Sequence, residues 1–181
     1  MERELATPVD VAAIVVSNAA AGDVAAFSRI VAEHHDDMAR ACFVICGDRD
    51  MAQDAVQAAW PIAWRKLASL REPDRLRPWL ITIAANEARQ AMRRHRRYRV
   101  VEIEVADVGG EEHDPSLRAT RIDLAAALRR LSLEDRSVLA LRYVSGFDAT
   151  EIGHAVGMSA SGVRSRLARA AARLRSELGD D

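Results

Sequence analysis

From Asp23 to Leu178 most apolar residues recur three and four positions apart, and the runs open on residues that cap helices. A half-buried strand needs a period of two, so this spacing confines most of the chain to helices. Asp23 precedes Phe27, Ile30, Val31, His34, Met38, Ala41, Cys42 and Ile45, and Gly47 is a stop. Asp48 or Asp50 caps a second run through Ala52, Val56, Trp60, Ala63, Leu67 and Leu70, in which Pro61 is expected to cost a main-chain bond and kink the helix. After a loop around Leu70–Pro73, Asp74 caps a third. Its Pro78 is harmless in the first turn, and Trp79, Leu80, Ile83 and Ala84 give it an apolar face.

Residues 1–21 show no clear period and read as a loosely held arm. Val101, Ile103 and Val105 alternate with Glu102 and Glu104, but no partner strand is evident, so residues 100–114 read as an extended linker. Asp114 and Pro115 then open a second helical unit with Leu117, Leu124, Leu128 and Leu131 on its apolar face. Ser132 with Asp135 caps a helix carrying Val138, Leu139 and Leu141, which ends before Gly146. Asp148 with Glu151 forms a capping-box pair for a short helix ended by Gly157, and Ser159 caps the last helix to about Leu178. The expected architecture is all-α, with two small helical domains at 22–99 and 115–181 joined by an acidic linker at 100–114.

The formal net charge is −1, but the charge is segregated. Arg89–Arg99 holds six arginines and no acid, Arg164–Arg175 holds five arginines and no acid, and Glu102–Asp114 holds six acids and no Lys or Arg. Two cationic segments on a near-neutral chain favour a polyanionic partner. The apolar stretch Val11–Val16 is too short to span a bilayer, which argues against membrane insertion. Cys42 and Cys46 are too few for a disulfide framework and point to the cytoplasm. With His34 and His35 they make at most a weak metal-site pattern, and small buried cysteines are the simpler reading. No Ser-His-Asp set, glycine-rich phosphate loop or paired-carboxylate arrangement stands out, so the chain reads as a non-enzyme without metal or cofactor.

The segment Asp148–Leu178 joins a short helix, a Gly157-Met158-Ser159 turn and a long arginine-bearing helix. Ile152 and Val156 can face Val163 and Leu167 across that turn, which is the pattern of a helix-turn-helix whose second helix enters the major groove. With Val163, Leu167, Ala171 and Leu174 inward, Arg164, Ser165, Ala168 and Arg169 point outward, and Arg166 lies at the flank, where it suits a phosphate. Guanidinium forks suit guanine edges and phosphate oxygens alike. A solvated amphipathic helix or a protein-binding one has the same spacing. The arginines at the end of the third helix suit the negative end of its dipole, but six in eleven residues exceed that need and favour phosphate contact.

Three stretches together resemble the extracytoplasmic-function class of bacterial sigma factors, which keep the second and fourth conserved regions of larger sigma factors. Asp54-Ala55-Val56-Gln57-Ala58-Ala59-Trp60 is similar to the family's D-L-V-Q-E-V-F segment. Arg77-Pro78-Trp79-Leu80-Ile81-Thr82-Ile83-Ala84-Ala85-Asn86 is similar to its R-T-W-L-x-R-I-A-R-N segment. Leu131 to Leu139 and Val163 to Ala170 resemble the fourth region. The likeness spans about Gly22 to Leu178. It departs at Ala58, where an acid is usual, and at Ser161-Gly162, where Gly-Thr is common.

The resemblance implies a protein that binds core RNA polymerase and directs initiation at promoters. Asp54, Gln57 and Trp60 are then expected to dock on the polymerase clamp helices, and the fourth-region domain to touch the flap. Arg71, Arg75, Trp79, Asn86, Arg89, Arg93 and Arg94 are expected at the downstream promoter element, where the loop of about Lys66–Arg75 captures an unpaired base. Ser159, Ser161, Arg164, Ser165, Arg166 and Arg169 are expected at the upstream element. An anti-sigma factor is a further candidate partner. The alternatives are a stand-alone helix-turn-helix regulator and a polymerase-binding adaptor without promoter recognition.

Overall fold

The computed structural model describes the backbone of residues 8–98 and 115–179, with side chains for 12–95 and 123–179. The alternating segment at 100–114 lies outside the described residues. Within the stretch expected to be a loose arm there is a helix, α1 (Pro8–Ala20). Its sequence is apolar on nearly every side and so shows no period. Packing on the next helix separates Val16 and Ala19, which are buried, from Ile14, which is exposed.

Asp23 then starts α2 (Val24–Cys46) by accepting hydrogen bonds from the amides of Ala25 and Ala26 at 2.8 and 3.1 Å. Gly47 ends it at φ 67°, the left-handed conformation that favours glycine. Asp48 caps α3 (Arg49–Lys66) through the amide of Met51, and the helix continues through Pro61. Two short 3₁₀ turns, Leu67–Ser69 and Pro73–Arg75, lead into α4 (Leu76–Tyr98). The inward residues of α2, α3 and α4, among them Met38, Ile45, Val56, Leu80 and Ile81, form one buried core. A fully buried side chain of this size contributes about 1.5–3 kcal/mol, enough to override Pro61.

The second half begins with α5 (Pro115–Arg130), then α6 (Leu133–Leu139), capped by Ser132 through the amide of Asp135 and continued by a π-type turn over Ala140–Val144. The last pair is α7 (Ala149–Val156) and α8 (Ala160–Leu178). Leu128, Leu131, Leu139 and Ala170 pin α5 and α6 against α8, while Leu124, expected inside, is exposed. Among the described residues there are only helices and turns. The two halves are not separate in space: Leu133, Val138, Leu141, Phe147, Ile152 and Val163 are buried in the same cluster as the core of α2–α4.

Cys42 and Cys46 are buried in that core, and the Cys42 thiol donates to Ala84 O at 3.5 Å. Burial pushes the Cys46 thiol up to about 12 and the Cys42 thiol higher, so neither supplies a thiolate at neutral pH. Among the described residues no group of three His, Cys, Asp or Glu side chains is placed to hold a metal ion. Nor is any helix there long and apolar enough to cross a membrane.

Asp37 on α2 ties the start of α4 to this core. It accepts from Arg77 Nε at 2.5 Å and also pairs with Arg40. The Arg77 hydrogen bond, more than any other contact, holds its carboxyl below the ordinary value of 3.8. A depressed carboxylate contributes stability that is present above its unfolded value and lost as pH falls through its folded value. Asp37→Asn is therefore expected to lower the urea midpoint at pH 7. The gap to the unsubstituted protein should narrow below about pH 4. A gap that stays constant from pH 7 to pH 3 would show that the carboxylate charge is not what holds Arg77.

Candidate nucleic-acid and polymerase interface

The turn between α7 and α8 is built from local chemistry. Asp148 accepts from the amides of Thr150 and Glu151 at 2.7 and 2.8 Å, and Glu151 returns a carboxylate to the Asp148 amide at 2.9 Å. This reciprocal box lowers the Asp148 carboxyl, the Glu151 amide being its largest cause. Gly157 ends α7 at φ 74°. The amides of Gly157 and Met158 both reach Gly153 O, at 2.9 and 3.0 Å, folding the chain tightly back. A side chain at Gly153 would place Cβ 2.5 Å from Met158 O, so only glycine fits there. Ser159 then caps α8 by accepting from the Gly162 amide at 3.1 Å.

Ile152 and Val163, both fully buried, meet behind the turn, with Leu167, Ala171 and Leu174 partly buried along α8. Arg164, Ser165, Ala168 and Arg169 lie exposed on the opposite face. Arg164 and Arg169 have no ion-pair or hydrogen-bond partner among the described residues. Ser159 and Ser161 stand at the start of the same helix, their hydroxyls 3.2 Å apart. Arg166 is placed differently. It is partly buried and donates to Asp135 Oδ1 at 3.2 Å, and Arg173 lies 3.7 Å from the other oxygen of that carboxylate. Asp135 thus fastens α8 to α6. In the sequence Asp135 shows only a capping role, because an acid at that distance in the chain carries no signal of its partner. Gly153 was also missed, although a glycine inside a short helix is itself a sign of close approach.

The second cationic surface lies on α4. Asn86, Arg89, Gln90 and Arg93 fall on one stripe of that helix and, with Lys66 at the end of α3, line an open cleft of about 350 Å³. Gln90 and Lys66 join the predicted residues there; the helical spacing of Gln90 from Asn86 is readable in the sequence, whereas Lys66 is brought in by the packing of α3 on α4. Arg71 and Arg94 are exposed, and Trp79 is partly buried against the core. Arg75 pairs with Glu151 of α7 at 3.2 Å. Arg89 donates to Asn86 Oδ1 at 3.2 Å and to Ala155 O at 3.0 Å, and burial, with Arg93 nearby, lowers its pKa from the ordinary arginine value. It stays charged at any working pH.

The third predicted group lies on α3. Asp54 and Gln57 are exposed on one face, and Pro61 and Trp64 continue that face along the helix. Trp60 is not on it. It is only 7% exposed, packs edge-on to Phe27 with ring centroids 5.8 Å apart, and donates to His35 Nδ1 at 3.4 Å. Trp64, 37% exposed and edge-on to the same Phe27 at 4.7 Å, is the tryptophan the surface presents. The family resemblance implies Trp60, but Phe27 and His35 of α2 cover that side of the helix.

An open arginine face on a helix-turn-helix, and a second cationic cleft on a distinct helical layer, define a two-part DNA-binding protein. The sigma-70 region 2 family matches residues 30–98, and the sigma-70 region 4 family matches residues 121–174. A probable RNA polymerase sigma factor, RfaY of Xanthomonas campestris, is 34% identical over 170 residues. The match covers 89% of this chain and 42% of that longer protein. The sigma factor NccH of Alcaligenes xylosoxydans is 34% identical over 164 residues, 86% of this chain and 88% of NccH. In a solved complex of sigma factor RpoE with the anti-sigma factor NepR from Bartonella quintana, the matched chain is 27% identical. It superposes with a TM-score of 0.72 and covers 86% of this chain and 98% of that one. The chain belongs to the sigma-70 family of RNA polymerase sigma factors, in its extracytoplasmic-function class. It is a transcription initiation factor, acting with core RNA polymerase at promoter DNA.

The tight turn generates one expectation. Gly153→Ala should improve helix propensity yet force Met158 aside, a conflict typically worth about 1–3 kcal/mol of destabilisation. Chemical unfolding checks it; an unchanged midpoint would mean that the turn has slack the structure does not show.

Proposed function

We propose that the three surfaces divide the work of initiation among named residues. Arg164, Ser165 and Arg169, with Ser159 and Ser161 at the helix start, read the upstream element. Arg166 steadies the reading helix through Asp135 and reaches at most a phosphate. Asn86, Arg89 and Arg93, with Arg71, Arg75, Trp79 and Arg94 around them, hold the downstream element once its strands part. Capture of an unpaired base in such a cleft offsets lost stacking without covalent chemistry, so the protein is not an enzyme. Asp54 and Gln57 on α3 dock on the clamp helices, with Trp64 in place of Trp60 as their aromatic neighbour, and the α5–α8 unit meets the flap. The domains then run over 22–99 and 115–181, with 100–114 as the acidic connector. The site of action is the cytoplasm, and an anti-sigma factor is a partner by likeness to the RpoE complex.

The observation that carries this reading is the exposed, unpartnered Arg164 and Arg169 on the solvent face of α8. Run-off transcription with purified core polymerase and a genomic promoter library tests it. Transcripts sharing a two-part motif are the expected result, and polymerase binding without transcripts would leave an adaptor instead.

Two sets of variants separate the surfaces. Arg164→Ala and Arg169→Ala are each expected to weaken promoter use by about 1–3 kcal/mol while polymerase binding is unchanged. Normal transcription by both would remove the assigned reading face. Asp54→Ala with Gln57→Ala should weaken core polymerase binding measurably without lowering the melting temperature, since both side chains are exposed. Unchanged capture of polymerase would remove the α3 assignment.

A further inference from the structure

The segment expected to capture an unpaired base, about Lys66–Arg75, has few means of its own to hold a shape. Its main hydrogen bonds are local: the Ser69 hydroxyl donates to Lys66 O at 2.6 Å, the Leu70 amide to Leu67 O at 3.0 Å and the Arg75 amide to Glu72 O at 2.9 Å. Such bonds shape each 3₁₀ turn but do not fix where the turns stand on the domain. The ion pair of Arg75 with Glu151 is partly exposed and screened by solvent. Position therefore comes from packing. Leu67 and Leu76, at the two ends of the segment, are buried, and Leu70 is partly buried against the same core.

Behind that segment stands α1, which lies against α2 and against both 3₁₀ turns. Its angle is set by the connection that follows it. The amides of Ala21 and Asp23 donate to Ser17 O and Asn18 O, each at 3.0 Å, around Gly22 at φ 100°, a conformation that glycine adopts at little cost. Val16 and Ala19 are 5% and 3% exposed and belong to the same buried cluster as Leu67 and Leu76, while Ile14, Ser17 and Asn18 are exposed. Residues 12–20 include no charged side chain, so this helix has little of its own to offer a phosphate. We propose that α1 is the positioning element of downstream recognition, acting through Val16 and Ala19 to hold the Leu67–Arg75 segment in the shape that selects its base. The inference rests on the reading of that segment as the one that captures the base. A loop held in place before binding loses less freedom when the right base enters, and it adapts less to a wrong one.

Two substitutions disturb the inner side of α1 in opposite ways: Val16→Ala leaves a gap behind the segment, and Ala19→Leu overfills the same space. Ile14→Ala, on the exposed side of the helix, is the control. Each full-length variant is assembled with core polymerase, and circular dichroism melting sets an assay temperature well below the lowest midpoint. The promoter is one recovered from the genomic library, and 2-aminopurine placed along its downstream element marks the base that unstacks. Run-off transcription then compares four templates that differ only at that base. The unsubstituted protein is expected to favour one base. Val16→Ala and Ala19→Leu should each cut that preference about three- to tenfold, part of what one base is typically worth. Ile14→Ala should keep it. Capture of core polymerase, and binding of the holoenzymes to an upstream-element duplex, should be unchanged throughout.

A base preference that both inner-side variants retain overturns the proposal. So does an equal loss of transcription from all four templates, because α1 then only stabilises the domain. A matching loss of preference in Ile14→Ala overturns it as well, since the effect then does not pass through the inner side. The unsubstituted protein tests the underlying reading separately. If it prefers one base and the variants do too, the role of α1 alone is removed. If it transcribes all four templates equally, the base-capture reading falls and the inference falls with it.

Discussion

An α-helix leaves its last carbonyl oxygens without partners inside the helix, and in a protein built of helices something else must supply the donors. At the ends of α2 and α7 that something is an arginine from the other half of the chain: Arg129 and Arg136 for Gly47 and Cys46, Arg89 for Ala155. Arginine suits the task because its planar fork stays charged and can serve two acceptors at once, as Arg77 serves Asp37 and Ser145. The placement of the two halves follows from these satisfied ends together with the shared apolar cluster.

The arginines accordingly fall into different working groups despite their similar appearance in the chain. Arg164 and Arg169 face solvent on α8, whereas Arg166, two residues from the first, is held by Asp135. On a helix two positions are about 200° apart, so a neighbour in sequence lies on the opposite side. The Asp135 pair, the Gly153 close approach and the Ser159 cap together hold α8 at a fixed angle to α6 and α7. The arginine face of α8 is exposed because its inner face is the one that packs.

Much of this was legible before the fold was seen. Asp23, Asp48, Ser132, Asp148 and Ser159 cap the helices that their positions implied, because a capping bond spans only two or three residues. The helix-turn-helix and its outward arginines were equally local. The aromatic exposed beside Asp54 and Gln57 on α3 was not. Trp60 and Trp64 are one turn apart and chemically identical, and only the position of α2 and Phe27 decides which is covered. The helix α1 escaped notice for a related reason, since a segment apolar on all sides declares its inner face only when something packs on it.

The sequence by itself determined the helices, most of their ends, the tight turn and the family, because each is written in residues a few positions apart or in ordered short motifs. The tertiary structure decided which arginines remain open, which are fastened to Asp135 and which cap the carbonyls of the other half. Those contacts join residues such as Arg136 and Cys46, or Arg89 and Ala155, that are far apart in the chain. A guanidinium looks the same in sequence whatever oxygen it will meet, and only packing brings one oxygen rather than another within about 3 Å.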